Sequence, residues 1–278
     1  MAQSMKDIQD KIYATRNMGK IASAMQMVAS AKLVKAEQKV SRFRSYMETL
    51  EEMIADIHPP SHPIFETRES GVTGYLAITS DRGLAGGYNA NILKQLQVRL
   101  GENPSSRIYL VGHRGFDYAS QHGYAVENED KYVPDNCVYN DMRFVIDKIF
   151  EDFNAGSIGR LIVIYTDYHS KILQVVEEKQ VLPLPPPEKN DKMEAGYLFE
   201  PSEESILDNL VPQYIEGMIY GALMVSKLSE QAARMNTMQH ASDNAGDIIH
   251  ELQLTYNRAR QSHITEEINE IVGGAAAI

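Results

Sequence analysis

Apolar and polar positions follow three regimes along the chain. Between Ser4 and Ile57 there is no proline and a single glycine, Gly19. From Ala36 onward Val40, Phe43, Met47, Leu50, Ile54 and Ile57 are spaced by alternating steps of four and three, the heptad seam of a coiled-coil helix. Upstream, Ile8, Ile12, Ile21, Met25 and Val28 continue the stripe with looser spacing. Ser4 with Asp7 three residues later is a helix-start signature. A helix over the whole stretch would be ~80 Å long at 1.5 Å per residue, far beyond the usual globular helix. His58-Pro-Pro-Ser-His-Pro63 stops it. That run reads as a linker, and its prolines keep the two histidines from sharing a helix face.

The middle regime has short apolar runs between turn signals. Gly74–Thr79 reads as a buried strand, followed by the loop Ser80–Asn89 and a helix from about Asn91 to Leu100. Arg107–Val111 is a second strand, with a helix near Phe116 to His122. Asn140–Phe153 reads as a helix, Leu161–Tyr165 as a strand, and Val175–Leu182 as an edge strand before the proline-rich run 183–187. Strand and helix alternate, which predicts an α/β, Rossmann-like domain with a largely parallel sheet.

The third regime is a second long helix. Ser202 is its predicted cap, with Glu203 and Glu204 at its positive end. Pro212 is expected to kink it or to mark its true first turn. Its stripe runs through Leu207, Leu210, Tyr214, Met218, Val225, Leu228, Ala232, Met235, Ile248, Leu252, Tyr256 and Ala259, and its full length is ~100 Å. The expected domains are therefore an N-terminal coiled-coil helix (1–58), an α/β domain (70–190) and a C-terminal coiled-coil helix (202–278).

Charge says how the helices pair. Basic residues are in excess between Lys6 and Arg44. Acidic ones are in excess in the last helix, with Glu216, Glu230, Asp243, Asp247, Glu251, Glu266, Glu267 and Glu270. Each stripe needs a partner and each charge excess finds its opposite in the other helix, so the fold class is α/β plus a long antiparallel coiled coil made by the two ends of the chain. The last helix outruns the first, which leaves its apolar, uncharged tip (residues 272–278) without a partner from its own chain.

Composition narrows the function classes. A net charge of -11 on 278 residues makes a generic nucleic-acid or membrane-surface binder a poor fit. The single cysteine, Cys137, excludes an internal disulfide and a cysteine-based metal site, and fits a reducing compartment. No apolar run approaches the ~20 residues of a membrane span. The basic N-terminus lacks an apolar core and cleavage site, so no signal peptide is expected. The early Asp7 and Asp10 argue against a mitochondrial presequence.

Candidate chemistry is sparse. Gly83-Leu-Ala-Gly-Gly87 follows a strand but has neither the G-x-G-x-x-G nor the G-x-x-x-x-G-K-[ST] spacing of phosphate loops. Gly112-His-Arg-Gly115 also falls short, and both read as tight strand-to-helix turns. His113, His169, His240, His250 and His263 are scattered, and no nucleophile–base order or metal-ligand spacing emerges. The basic first helix reads either as a solvated face or as a partner surface.

Specific motifs then carry a resemblance. Arg16-Asn-Met-Gly-Lys-Ile21 and Ala24-Met-Gln-Met-Val-Ala-Ser-Ala-Lys32, the loop Thr79-Ser-Asp-Arg-Gly-Leu-Ala-Gly-Gly-Tyr-Asn89, Ser229–Met235, Glu251–Gln261 and Ile264–Ala277 are together similar to the gamma-subunit family of F-type ATP synthase. Ala85 stands where that family often has a cysteine, and the cysteine-bearing regulatory insertion of chloroplast members is missing.

The resemblance implies a non-catalytic shaft inside a ring of three alpha and three beta subunits, with the catalytic sites on beta and the apolar C-terminal tip in a collar of that ring. It implies no cofactor or metal on this chain. Met25, Arg234, Gln261, Thr265 and Glu267 become the expected beta-subunit contacts. Tyr197, Phe199 and Glu200 become the expected contacts to the membrane c-ring, with Phe199 where the family more often has a tyrosine. The epsilon subunit is expected on the α/β domain, and the protein at the cytoplasmic face of the bacterial plasma membrane. Ala232 and Met235 occupy the seam, which predicts that Arg234 faces outward. Two other classes stay open on the residues alone: a nucleotide-dependent α/β enzyme with helical arms, and a scaffold that homodimerises through its helices.

Overall fold

The computed structural model describes residues 5–56, 71–184 and 203–276. It divides into two compact units, one of Met1–Ala29 with Met235–Ile278 and one of Ser30–Arg234. Both boundaries fall inside helices.

The first unit is a pair of helical segments, the start of α1 (Met5–Asp56) and the end of α5 (Glu203–Ala276). Gln9 Nε2 donates to the Tyr256 hydroxyl at 2.8 Å, and a Cβ built on Gly19 would lie 3.1 Å from Ala245 Cβ. Higher positions on α1 meet lower ones on α5, so the segments run antiparallel.

The seam on α1 differs from the stripe expected there. Ile8, Thr15, Ala22 and Ala29 are buried at every seventh position, whereas Ile21 is 61% and Val28 54% exposed. The physical reason is helical phase. A residue one position away lies about 100° round the cylinder, so Ile21 and Val28 cannot share the line of Ala22 and Ala29. Small side chains make the contact and let the backbones approach, and the large apolar side chains at 21 and 28 face away from it.

The second unit holds the sheet. Strands β1 (Thr73–Ile78), β2 (Arg107–Val111), β3 (Arg160–Tyr168) and β4 (Gln174–Leu182) lie in the order β2-β1-β3-β4. The first three are parallel, with Leu76 beside Tyr109 on one flank and Val163 on the other. β4 closes the edge antiparallel, with an irregularity in register between Leu161 and Ile162. The expected largely parallel sheet and edge strand are thus present. One face, with Tyr75, Ala77, Ile108, Leu110 and Ile164, packs on Tyr88, Ile92 and Leu96 of α2 (Tyr88–Glu102) and Ala119 of α3 (His113–His122). The other, with Leu76, Ile78, Tyr109, Val111 and Val163, packs on α4 (Arg143–Asn154) and the first half of α5. Both faces are apolar because both are covered.

α2 and α3 each begin three residues before the sequence estimate, and a 3-10 turn at Tyr139–Met142 precedes α4. Pro212 lies inside α5, well after its first residue at Glu203, which corrects the reading that it marks the first turn. Burial of Val211, Ile215 and Ile219 under the sheet offsets the one backbone hydrogen bond that a proline cannot make.

The predicted heptad of α1 is borne out in this unit as far as residue 54. Leu50 and Ile54 are buried, and Val40, Phe43 and Met47 pack on the sheet-side core. Ile57 lies outside the described residues, as does the expected cap at Ser202. Phe43 meets Tyr220 edge-on at 5.2 Å. A Cβ on Gly217 would collide with Met47 Sδ, and one on Gly221 would lie 3.2 Å from Phe43. These two glycines open the space that the large α1 side chains fill.

Candidate partner-binding surfaces

In doubly wound sheets a ligand crevice opens beyond the carboxyl ends of the strands, where the connections part to opposite flanks. Here that point lies beside β1, between β2 and β3. The loops at this edge spend their polar groups on one another. Thr79 Oγ1 donates to the Val111 carbonyl at 2.9 Å and accepts from Gly115 N at 2.9 Å. Asn89 braces Ser80 through Nδ2 to Oγ at 2.8 Å, while Ser80 N donates to Asn89 Oδ1 at 2.9 Å. Leu84 and Gly86 take positive φ of 64° and 57°, the left-handed turns that bring the chain from β1 into α2. The tight-turn reading of both glycine-rich segments therefore fits.

α5 fills the crevice itself. Ser226 Oγ lies 2.6 Å from the Tyr88 hydroxyl and accepts from Thr166 N at 3.5 Å. Lys227 Nζ donates to the Val133 carbonyl at 3.1 Å and pairs with Asp81 at 3.4 Å. Arg234 Nη2 reaches the Gly83 carbonyl at 3.3 Å and Arg82's at 3.4 Å. Between them Glu230 is buried, 2.7 Å from Arg234 and 3.8 Å from Lys227. Burial pushes its carboxyl above the usual range despite both cations. Burial, then the Glu230 charge, pushes the Tyr88 phenol up. The space a nucleotide occupies in related architectures holds the protein's own side chains.

The expected contact residues have different settings. Met25 is half-buried on α1. Gln261, Thr265 and Glu267 are exposed on α5; Thr265 Oγ1 donates to the Gln261 carbonyl at 2.9 Å, and His263 Nδ1 lies 3.1 Å from Glu267. Arg234 does not face outward as its place beside the seam suggested. Its side chain is only 11% exposed and turns onto the β1–α2 loop and Glu230. Helical phase alone misses this, because the loop that captures the guanidinium is distant in sequence. Tyr197, Phe199 and Glu200 lie outside the described residues.

Sequence reasoning also missed an apolar surface. Tyr13, Met18, Ile21, Met27 and Val28 on α1 are exposed, as are Ile264, Ile268, Ile271 and Val272 on α5. The α5 set recurs at four, three and one, one face of a helix. The signal was present as large apolar residues out of phase with the small ones at 15, 22 and 29.

Among the described residues, metal-ligand atoms converge at Asp167, His169 and Glu177 on the β3–β4 hairpin, all within 4.8 Å of one another. His169 Nε2 is 3.7 and 3.8 Å from the two carboxylates, and exposed acidic groups beside a histidine on a hairpin are not by themselves a metal site.

A plugged α/β domain, an antiparallel helix pair and exposed apolar helix faces define a protein that works by contact with partners. The family model described as ATP synthase matches residues 4–278. The chain belongs to that family, the gamma subunits of F-type ATP synthase, which are non-catalytic central-stalk components. Its fold is similar to a chain of the Euglena gracilis mitochondrial ATP synthase OSCP/F1/c-ring assembly, with TM-score 0.69 and 22% identity over 98% of this chain and 94% of that one. A second Euglena gracilis structure, of the rotor, aligns with TM-score 0.64 and 22% identity over 94% and 98%. A chain of the Tetrahymena thermophila mitochondrial central stalk and c-ring aligns with TM-score 0.56 and 23% identity over 80% and 99%. Among the described residues no helix is long and apolar enough to cross a membrane.

Proposed function

We propose that this chain is the rotor shaft that couples rotation of a membrane c-ring to conformational change in three catalytic beta subunits. The match over residues 4–278 carries this reading. A single chain without threefold symmetry meets three identical subunits differently, so each catalytic site is biased toward a different conformation. Its leverage is limited to the difference in its contact free energy with those conformations. Linkage requires the reverse: nucleotide hydrolysis in the ring drives the shaft backwards.

Met25, Gln261, Thr265 and Glu267 are the proposed direct contacts to beta, supported by their motif positions and, for the last three, by their exposure. Arg234 is proposed to act on beta from its braced position over the β1–α2 loop. Tyr197, Phe199 and Glu200 are proposed to meet the c-ring, and the α/β domain the epsilon subunit. The coupling ion is proposed to be the proton. We place the assembly at the cytoplasmic face of a bacterial plasma membrane; a single buried cysteine fits that reducing compartment.

The test is reconstitution with alpha and beta subunits. The isolated chain should hydrolyse no ATP and run as a monomer in light scattering. With alpha and beta it should rotate a bead attached to the α/β domain when ATP is added. ATPase activity of the chain alone, abolished by substituting Gly86 or Gly87, would favour the enzyme reading. A stable homodimer that ignores alpha and beta would favour the scaffold.

A further inference from the structure

A basic cavity of about 320 Å³ lies within the second unit, and the shaft function leaves it unexplained. Lys32, Lys35 and Lys39 of α1 enter it from one side and Lys227 of α5 from the other, over a floor formed by Asp135 to Cys137. Four ammonium groups thus face one lining carboxylate, in a chain whose net charge is -11.

Three of the four are held in place. Lys32 Nζ pairs with Asp135 at 2.6 Å, Lys39 Nζ donates to the Cys137 carbonyl, and Lys227 Nζ donates to the Val133 carbonyl at 3.1 Å and pairs with Asp81 at 3.4 Å and Glu230 at 3.8 Å. Lys35 has no ion-pair partner among the described residues. Each ammonium carries three donors, and those of Lys32 and Lys39 are only partly used by these contacts. Burial alone would raise the Asp135 carboxyl, yet the Lys32 pair outweighs it and holds it below the usual range. The site's carboxylate is therefore ionised at neutral pH and offsets Lys32, while Asp81 and Glu230 offset Lys227 from outside the lining. Lys35 and Lys39, with no carboxylate partner among the described residues, leave a local excess of positive charge beside an apolar wall from Val40 and Met224. Like charges gathered in a concave, partly desolvated space repel, and a multivalent anion relieves that repulsion.

We propose that this cavity binds a small inorganic-type polyanion, a phosphate or diphosphate group, and that its occupancy ties α1 to the 133–137 segment and to α5. Lysines recognise such groups as point charges, with less demand on geometry than arginine forks. The diphosphate can come from free pyrophosphate or from the tail of a nucleotide. The inference does not depend on the shaft reading, because it rests on the cavity alone.

The test is calorimetric titration of the purified full chain with pyrophosphate, inorganic phosphate and ADP at fixed ionic strength. Pyrophosphate should bind saturably at one site, more tightly than phosphate, and raise the melting temperature. ADP at the same affinity would assign recognition to the diphosphate alone; a tighter ADP would add its base on the Val40 and Met224 wall, and either supports the site. Lys32→Gln with Lys39→Gln should weaken pyrophosphate binding at least ten-fold. Lys35→Gln removes no hydrogen bond or ion pair among the described residues and should weaken it several-fold with unchanged melting of the free chain. Lys11→Gln, in the first unit and not among the cavity's lining residues, should change nothing. Absence of saturable binding, or affinity untouched by Lys35→Gln and the double substitution, overturns the proposal. Binding of an acidic peptide at this cavity, with no response to pyrophosphate, would overturn it in favour of a protein partner.

Discussion

Arg234 donates from Nη2 to Glu230 Oε1 at 2.7 Å, with the two side chains only 11% and 3% exposed. A buried pair of this kind adds little over a well-packed apolar pair, but breaking it by removing one partner is expensive. Arg234→Leu strands a buried carboxylate with only Lys227, 3.8 Å away. It should cost about 3–5 kcal/mol in urea unfolding. Adding Glu230→Leu should restore part of that loss, because the stranded charge is gone. Wild-type melting of Arg234→Leu would mean the guanidinium contributes only at the partner surface.

How far the sequence could be read depends on the range of the interactions involved. The heptad at Val40, Phe43, Met47, Leu50 and Ile54 and the alternation of strand and helix were legible, because each is a local periodicity. The family motifs of the loop at 79–89 and of 229–261 were legible as well, and with them the class of protein. The seam at Thr15, Ala22 and Ala29 was not, since small residues carry little hydrophobic signal and a close backbone approach depends on the facing helix. Nor was the plug of Ser226, Lys227 and Glu230 beneath the β1 loop. These polar residues share the helical stripe with leucines, and only the tertiary fold brings Tyr88 to Ser226 and Asp81 and Val133 to Lys227.

Gly112 and Gly101 should respond in opposite directions to alanine. Gly112 has φ of 91°, and a Cβ there would clash with the Thr79 carbonyl, whose own residue is tied to β2 by its N–H donating to the Val111 carbonyl at 2.8 Å. Gly112→Ala should lose at least ~1–3 kcal/mol through strain at that backbone conformation. Gly101, in the last turn of α2, has nothing within 4 Å of its would-be Cβ. Gly101→Ala should gain about 0.4–1 kcal/mol by restricting the unfolded chain. Paired thermal melts check both signs.

His113 should make stability fall as pH rises above about 6.5. Its Nδ1 lies 2.5 Å from Asp130 and its Nε2 3.5 Å from Asp117. The Asp130 hydrogen bond, then the two carboxylate charges, raises its pKa above the ordinary 6.5. A raised folded-state pKa means the contribution is fully present below pH 6.5 and is lost as pH rises through the folded value. The wild type should therefore lose a little melting temperature over that window, and His113→Gln should lose less. Added salt should shrink the difference, because the pair is exposed.

Gln261 separates folding from coupling more cleanly than Arg234. It sits on the exposed stretch of α5 that also carries Thr265 and Glu267, and the contact from Thr265 Oγ1 goes to its backbone carbonyl, not its side chain. Leucine has a helix propensity close to that of glutamine. Gln261→Leu should thus leave the isolated chain's stability within ~0.5 kcal/mol, as surface substitutions usually do. With Gln261 meeting the ring as proposed, the same change in the assembled enzyme should impair ATP synthesis and ATP-driven proton pumping. A double-mutant cycle with the facing beta-subunit residue should show coupling of roughly 0.5–3 kcal/mol. If Gln261→Leu melts several degrees low while pumping stays normal, the side chain serves the helix and not the partner.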